Sequence, residues 1–241
     1  MISIENEKLK KYDVLFFDAG DTLITKEPSE TDEIVRRLKR IGIDCDRKIA
    51  EKAYLNSKLW IGGQLLKELN GAPRMPDDEF DLNIGVSVFE TLYADKPRDE
   101  LESLARKYNE IEPAEQVWVL MDGVLPVLQK LTQQGYKLGV VSNFDSSLRD
   151  VLKDKGIEKY FGHIVVSAEE EVYKPNPEIL KIACAGFEAM PERCLYIGDH
   201  PFDILCAKEA GMDILFVNRL YESENLLWQP TYMVKSIKSL L

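Results

Sequence analysis

From about residue 117 onward, short runs of uninterrupted apolar residues alternate with stretches whose apolar positions recur at helical spacing. The runs "KLGVVSN", "HIVVSAE", "CLYIGDH" and "ILFVN" are short and rich in β-branched residues, the pattern of strands buried on both faces. Helices are predicted between them near 123–134, 145–155, 177–189 and 202–210. The first carries apolar Val124, Leu125, Val127, Leu128 and Leu131, with Gly135 to stop it, and Gly211 ends the last in the same manner. Strands alternating with helices predict an α/β, Rossmann-like fold, a parallel sheet with helices on both faces. "VLFF" at 14–17 is a further strand of that sheet.

Between Ile24 and Val117 the pattern changes, and no convincing strand is predicted. Ile34, Val35, Leu38 and Ile41 mark one helix, with Ser29 as its N-cap and Gly42 as its stop. Leu65, Leu66 and Leu69 mark a second, Val88, Phe89 and Leu92 a third, and Leu101, Leu104, Ala105 and Tyr108 a fourth. The expected organisation is an α/β core formed by 1–25 and 117–241, with an all-helical domain, 26–116, inserted between its first and second strands. "TKEPSE" and "EIEPAEQ" are read as the linkers.

Composition narrows the function classes. A length of 241 residues suits one large domain or a domain with an insertion, and 45% hydrophobic with 30% charged residues is ordinary for a globular protein. A formal charge of -11 argues against general affinity for nucleic acid or anionic membranes, both of which need a basic face. "MISIENEKLKKYD" has no apolar signal core and no apolar run approaches spanning length, so a cytoplasmic location is expected. Cys45, Cys184, Cys194 and Cys206 form no C-x-x-C pair, and with only His163 and His200 to join them they read as buried free thiols. There is no P-loop motif.

The chemistry gathers at the ends of the predicted strands, where open parallel sheets bind ligands. In chain order these ends carry Asp18 in "LFFDAGDTLI", Ser142-Asn143, Lys174 in "EVYKPNP", and Asp199 with Asp203 in "GDHPFD". Singly, Ser142 reads as a helix cap, Lys174 as a surface lysine and Asp203 as a first-turn acid. Their joint order favours a site.

With "VVSNFD", "YKPNPEIL" and "IGDHPFDILCAKEAGM" added, the sequence resembles the haloacid dehalogenase-like hydrolases. That family has an aspartate-bearing first strand, then a Ser/Thr, a Lys and an acidic-pair motif, and the resemblance makes the helical insertion its cap. It implies a phosphatase that forms an aspartyl phosphate. Asp18 is then the nucleophile, and Mg2+ the cofactor, held by Asp18, Asp199 and the Gly20 backbone carbonyl, with Asp203 orienting these ligands from behind. Lys174 supplies fixed positive charge, Ser142 and the Asn143 amide bind phosphate oxygens, and Thr22 orders the loop. The implied substrate is a small phosphorylated metabolite whose identity the cap loops do not reveal. Oligomeric state is not legible.

One position departs from the family pattern. Its phosphatases read D-x-D-G-T, with an acid/base aspartate two residues after the nucleophile, whereas here the order is Asp18-Ala19-Gly20-Asp21-Thr22. Glycine stands where the acid belongs. Asp21 serves as acid/base only if the backbone rearranges, and it is expected instead to be a turn residue. His200 is a second candidate proton donor, though its position alone favours a loop histidine without a chemical role. Trp60 and Gly62-Gly63 are candidates for the substrate opening, and core packing with a helix break explains them equally well. Two other functions stay open: a metal-free haloacid dehalogenase, which needs no acid, and a catalytically weak phosphate-binding or regulatory protein.

Overall fold

The computed structural model describes residues 6–221 and 226–241. The chain divides into two compact units, Met1–Thr25 with Trp118–Leu241, and Lys26–Val117. The first unit opens with the short helix α1 (Asn6–Leu9), then β1 (Val14–Phe17) and the start of β2 (Ile24–Glu27). After β3 (Val117–Leu120) it continues through α6 (Val124–Gln133), β4 (Lys137–Ser142), α7 (Leu148–Asp154), β5 (His163–Val166) and α8 (Ser167–Glu170). It closes with α9 (Glu178–Gly186), β6 (Cys194–Gly198), α10 (Pro201–Glu209), β7 (Asp213–Val217) and β8 (Tyr232–Val234).

Six strands form one parallel sheet in the order β5-β4-β1-β6-β7-β8. The central strand explains why the apolar runs lack alternation. Leu15 and Phe17 join Val127, Leu128 and Leu152 in a core on one face, while Val14 and Phe16 join Ile179, Leu180, Ile204 and Ala207 on the other. Both faces being covered, every position of β1 is buried. The register sets Phe17 beside Val140 of β4 and Ile197 of β6, so the strand ends carrying Asp18, Ser142 and Asp199 finish level.

The second unit holds α2 (Glu30–Arg40), α3 (Arg47–Leu69), α4 (Asp77–Leu92) and α5 (Arg98–Asn109). Ser29 caps α2 by accepting the Asp32 N–H, and the Asp32 carboxylate returns the bond to the Ser29 amide. Gly42 follows with φ +82°, a left-handed turn that suits glycine. Ile34, Leu38, Ala53, Val86, Phe89, Leu101 and Tyr108 make this unit's own core.

The structure departs from the sequence reading in several places. β2 includes Ile24 to Glu27, so part of the segment read as a linker is a strand, paired with β3 in a two-stranded ribbon. The second helix starts far earlier than its leucines suggest, because α3 spreads apolar residues such as Tyr54, Leu55 and Trp60 over several sides. It runs unbroken through Gly62-Gly63, so these glycines are not a helix break, and Trp60 meets Phe80 edge-on at 5.2 Å. β8 is a three-residue edge strand, too short for periodicity to reveal. Cys184, Cys194 and Cys206 are buried free thiols, whereas Cys45 is half-buried. Among the described residues no helix is long and apolar enough to cross a membrane.

Candidate active site

Asp18 directly follows β1, and its carboxylate is buried. A lone buried carboxylate is costly, and two donors offset that cost: Ser142 Oγ and Lys174 Nζ, each 2.9 Å from Oδ1. Lys174 is itself buried, and its ammonium also reaches Asp203 Oδ1 at 2.8 Å and the Tyr196 hydroxyl at 2.7 Å. Three acceptors match the three N–H bonds of an ammonium, which fixes its direction. Burial alone would lower the Lys174 pKa, but the Asp18 and Asp203 carboxylates overcome it and hold the ammonium above its ordinary value. For Asp18, burial raises the pKa, opposed by Lys174 and reinforced by Asp203.

The side chains that aim this group are local consequences of the fold. Asn143 clamps the loop bearing Lys174, accepting the Lys174 N–H at 2.7 Å on Oδ1 and donating from Nδ2 to its carbonyl at 2.9 Å. Asp203 sits in the first turn of α10, where Oδ2 accepts the His200 N–H at 3.0 Å while Oδ1 faces Lys174. A Cβ on Gly198 would overlap the Asp203 carboxylate, so only glycine lets that acid close against the end of β6. Thr22 Oγ1 donates to Asp199 Oδ1 at 3.3 Å, tying the turn after β1 to the end of β6.

Oxygen atoms of Asp18, Asp199 and Asp203 lie within 4.8 Å of one another, all three residues being buried. Lys174 pairs with Asp18 and Asp203, Asp199 adds a third carboxylate to the cluster, and this all-oxygen donor set suits a hard divalent cation.

The turn that departs from the expected motif has a defined shape. Asp21 has φ +55°, its amide donates to the Ile24 carbonyl at 2.6 Å, and its Oδ1 accepts from Thr25 Oγ1 at 2.9 Å. Its carbonyl accepts from the Arg219 guanidinium on the loop after β7. Asp21 is thus a turn residue, and the carboxylate cluster of Asp18, Asp199 and Asp203 does not include it. An ideal Cβ on Gly20 meets nothing within 4 Å. His200 caps α10, its Nδ1 accepting the Phe202 N–H at 3.2 Å and its ring stacked on Phe202 at 5.4 Å.

The structure therefore brings Asp18, Ser142, Lys174, Asp199 and Asp203 together, links Thr22 and Asn143 to them, and places Asp21 in the turn after β1, outside the carboxylate cluster. Sequence reading missed Tyr196, Gly198 and Arg219. Tyr196 lies inside an apolar run and looks like core, Gly198 looks like a strand terminus, and Arg219 is a lone basic residue beyond a strand.

The family model of the haloacid dehalogenase-like hydrolases matches residues 56–217, which include Ser142, Lys174, Asp199 and Asp203. The chain belongs to this family. Asp18 precedes the matched segment, and its bonds to Ser142 and Lys174 join it to the family's residues. The chain is 30% identical over 178 residues to the pyrophosphatase PpaX of Listeria monocytogenes, covering 69% of this chain and 81% of that one. Among solved structures, YfnB of Bacillus subtilis, bound to magnesium, shares 24% identity at a TM-score of 0.63, covering 95% of this chain and 96% of that one. An L-2-haloacid dehalogenase from Xanthobacter autotrophicus shares 17% identity at a TM-score of 0.59, with the same coverage. These two likenesses establish the α/β Rossmann-like fold. The chain is a hydrolase of this family, and the choice of bond it cleaves rests on its own site.

Proposed function

We propose that this protein is a phosphatase that hydrolyses a small phosphorylated metabolite through an aspartyl phosphate on Asp18. The observation that carries the reading is the buried cluster of Asp18, Asp199 and Asp203, with the buried Lys174 bonded to Asp18 and Asp203. Ser142 and Lys174 both act on Oδ1 of Asp18, which orients Oδ2 as the attacking oxygen. Lys174, with Ser142 Oγ and the Asn143 amide, offers positive charge and donors to phosphate oxygens.

Mg2+ fits the donor set, with Asp18, Asp199 and the Gly20 carbonyl as its ligands. When bound it would offset the repulsion between carboxylate and phosphate and polarise the phosphorus–oxygen bonds. Asp203, with both oxygens already accepting bonds from Lys174 and His200, orients the others from behind. The helical insertion, leaving the core just after the Asp18 turn, is read as the cap that selects the substrate. The name of PpaX and the magnesium in YfnB support this reading.

A dehalogenase also attacks with an aspartate and needs no acid, as the glycine at 20 would allow. It has no use for two further buried carboxylates, which without a cation crowd charge around Asp18. Purified protein should release phosphate from acetyl phosphate or 4-nitrophenyl phosphate with Mg2+ and stop in chelator. Halide release from 2-chloropropionate in chelator, with no phosphate release in Mg2+, would overturn the proposal.

A further inference from the structure

We infer that Cys184 and Cys194 form a redox modification site, two thiols that a peroxide joins into a reversible disulfide stapling α9 to the start of β6. The inference does not depend on the phosphatase reading, since neither cysteine belongs to the candidate active site.

Cys184 stands in the last turn of α9 and Cys194 opens β6, and their Sγ atoms lie 3.7 Å apart. The connection between them folds back on itself. The Cys184 carbonyl accepts the Ala189 amide at 3.0 Å and the Phe187 amide at 3.1 Å, while the Cys194 thiol donates to the Met190 carbonyl at 3.3 Å. Both ends of the connection are thus fastened where the two thiols meet. A bond between them needs the sulfurs to close from 3.7 Å to about 2.05 Å, a movement shared by two side chains. Both thiols are buried, yet Ala185 and Arg193, their neighbours along the chain, are exposed, as are Gly186, Glu188 and Glu192 between them. A molecule as small as hydrogen peroxide has only this short connection to pass.

The contact also divides the roles. When Cys184 loses its proton, the Cys194 S–H turns from Met190 to the thiolate, and this bond holds the Cys184 pKa below its ordinary value against the opposing effect of burial. The same contact, with burial, raises the pKa of Cys194. Cys184 is therefore the attacking thiolate. Its sulfur bonds to one peroxide oxygen as the oxygen–oxygen bond breaks, and the departing hydroxide takes up the proton that Cys184 released. Cys184 is left as a sulfenic acid. The Cys194 sulfur then attacks that of Cys184, the sulfur–oxygen bond breaks, and hydroxide leaves with the Cys194 proton as a second water. Two thiols are oxidised to one disulfide, and one peroxide is reduced to two waters. The buried Cys206 is a reference within the same core, since its thiol donates to the Asn176 carbonyl at 3.4 Å and burial pushes its pKa up to about 12.

The test uses the Cys45→Ser protein, which lacks the half-buried thiol of the other unit. After hydrogen peroxide, free thiols are alkylated in denaturant and the protein is digested with trypsin. Fragments 182–193 and 194–208 should appear joined, with the link placed by fragmentation at Cys184–Cys194 and Cys206 alkylated. Dithiothreitol should restore both thiols. The bridge closes a ring between residues ten apart, so the joined protein should melt higher by roughly 5–10 °C. Cys184→Ser should remove both the link and the thermal shift, and the unaltered protein repeats the mapping if a variant folds poorly. Both thiols staying free at a peroxide concentration that oxidises Cys45 of the unaltered protein would overturn the inference. So would Cys184 stopping at a sulfinic acid, a link to Cys206, a bridge that forms only in urea, or a joined protein that melts no higher.

Discussion

Replacing Glu33 with glutamine removes one charge from a bond network that closes the helical unit on itself. Glu33 is 4% exposed on α2 and accepts from Arg36 Nε at 2.7 Å, Arg37 Nε at 2.6 Å and the Ala114 amide at 3.3 Å. Arg36 also reaches the Glu112 carbonyl, and Gln116 Nε2 donates to the Pro28 carbonyl at 2.9 Å. The two ends of this inserted segment are thereby fastened to each other. Burial would raise the Glu33 pKa, but the two guanidiniums and the amide prevail and bring it from 4.5 to about 2. At about 1.4 kcal/mol per pH unit this is about 3 kcal/mol at pH 7. Arg36 is 32% exposed, so water screens part of its share, leaving roughly 2–3 kcal/mol. Because the folded pKa is depressed, the contribution is full above pH 4.5 and is lost as pH falls toward 2. Urea unfolding followed by Trp60 fluorescence, with Trp118 and Trp228 changed to Phe, isolates this unit. Glu33→Gln should lower its stability by roughly 2–3 kcal/mol at pH 7 and by about half that at pH 3. No loss at pH 7, or a loss that stays constant down to pH 3, would refute the ion-pair reasoning.

Tyr196→Phe keeps the ring but removes the hydroxyl that accepts from Lys174 and donates to the Val141 carbonyl at 2.8 Å. It should cost about 1–3 kcal/mol in urea unfolding and lower kcat more than it raises KM, and wild-type turnover would show that Lys174 needs no third partner. Asp199→Asn should raise the Mg2+ concentration needed for half-maximal phosphate release, and an unchanged Mg2+ requirement would remove Asp199 from the ligand set.

The elements legible in the sequence were those whose burial leaves a repeating mark. β1, β4, β5, β6 and β7 are buried on both faces and so appear as unbroken apolar runs. The same runs made Asp18, Ser142 and Asp199 visible, since each stands at or just past the end of one, and the level strand ends of a parallel sheet gather such residues. α3 and β8 left no such mark, one mixing its faces and the other being three residues long. Tyr196 shows the deeper limit. Its ring obeys the strand pattern, and only the fold reveals that its hydroxyl lies 2.7 Å from an ammonium introduced by a distant loop. Asp21 was readable as a turn residue from its place in "DAGDT", but its bonds to Thr25 and Arg219 required the folded turn.

The central claim is that Asp18 carries the phosphoryl group. Protein mixed with acetyl phosphate and Mg2+, quenched in acid within the first turnovers and digested, should yield the peptide containing Asp18 heavier by one phosphoryl group. Asp18→Asn should show neither that peptide nor phosphate release, with an unchanged circular dichroism spectrum. Sustained phosphate release from the Asp18→Asn variant, or label on another residue of the unaltered protein while Asp18 stays bare, would contradict the account.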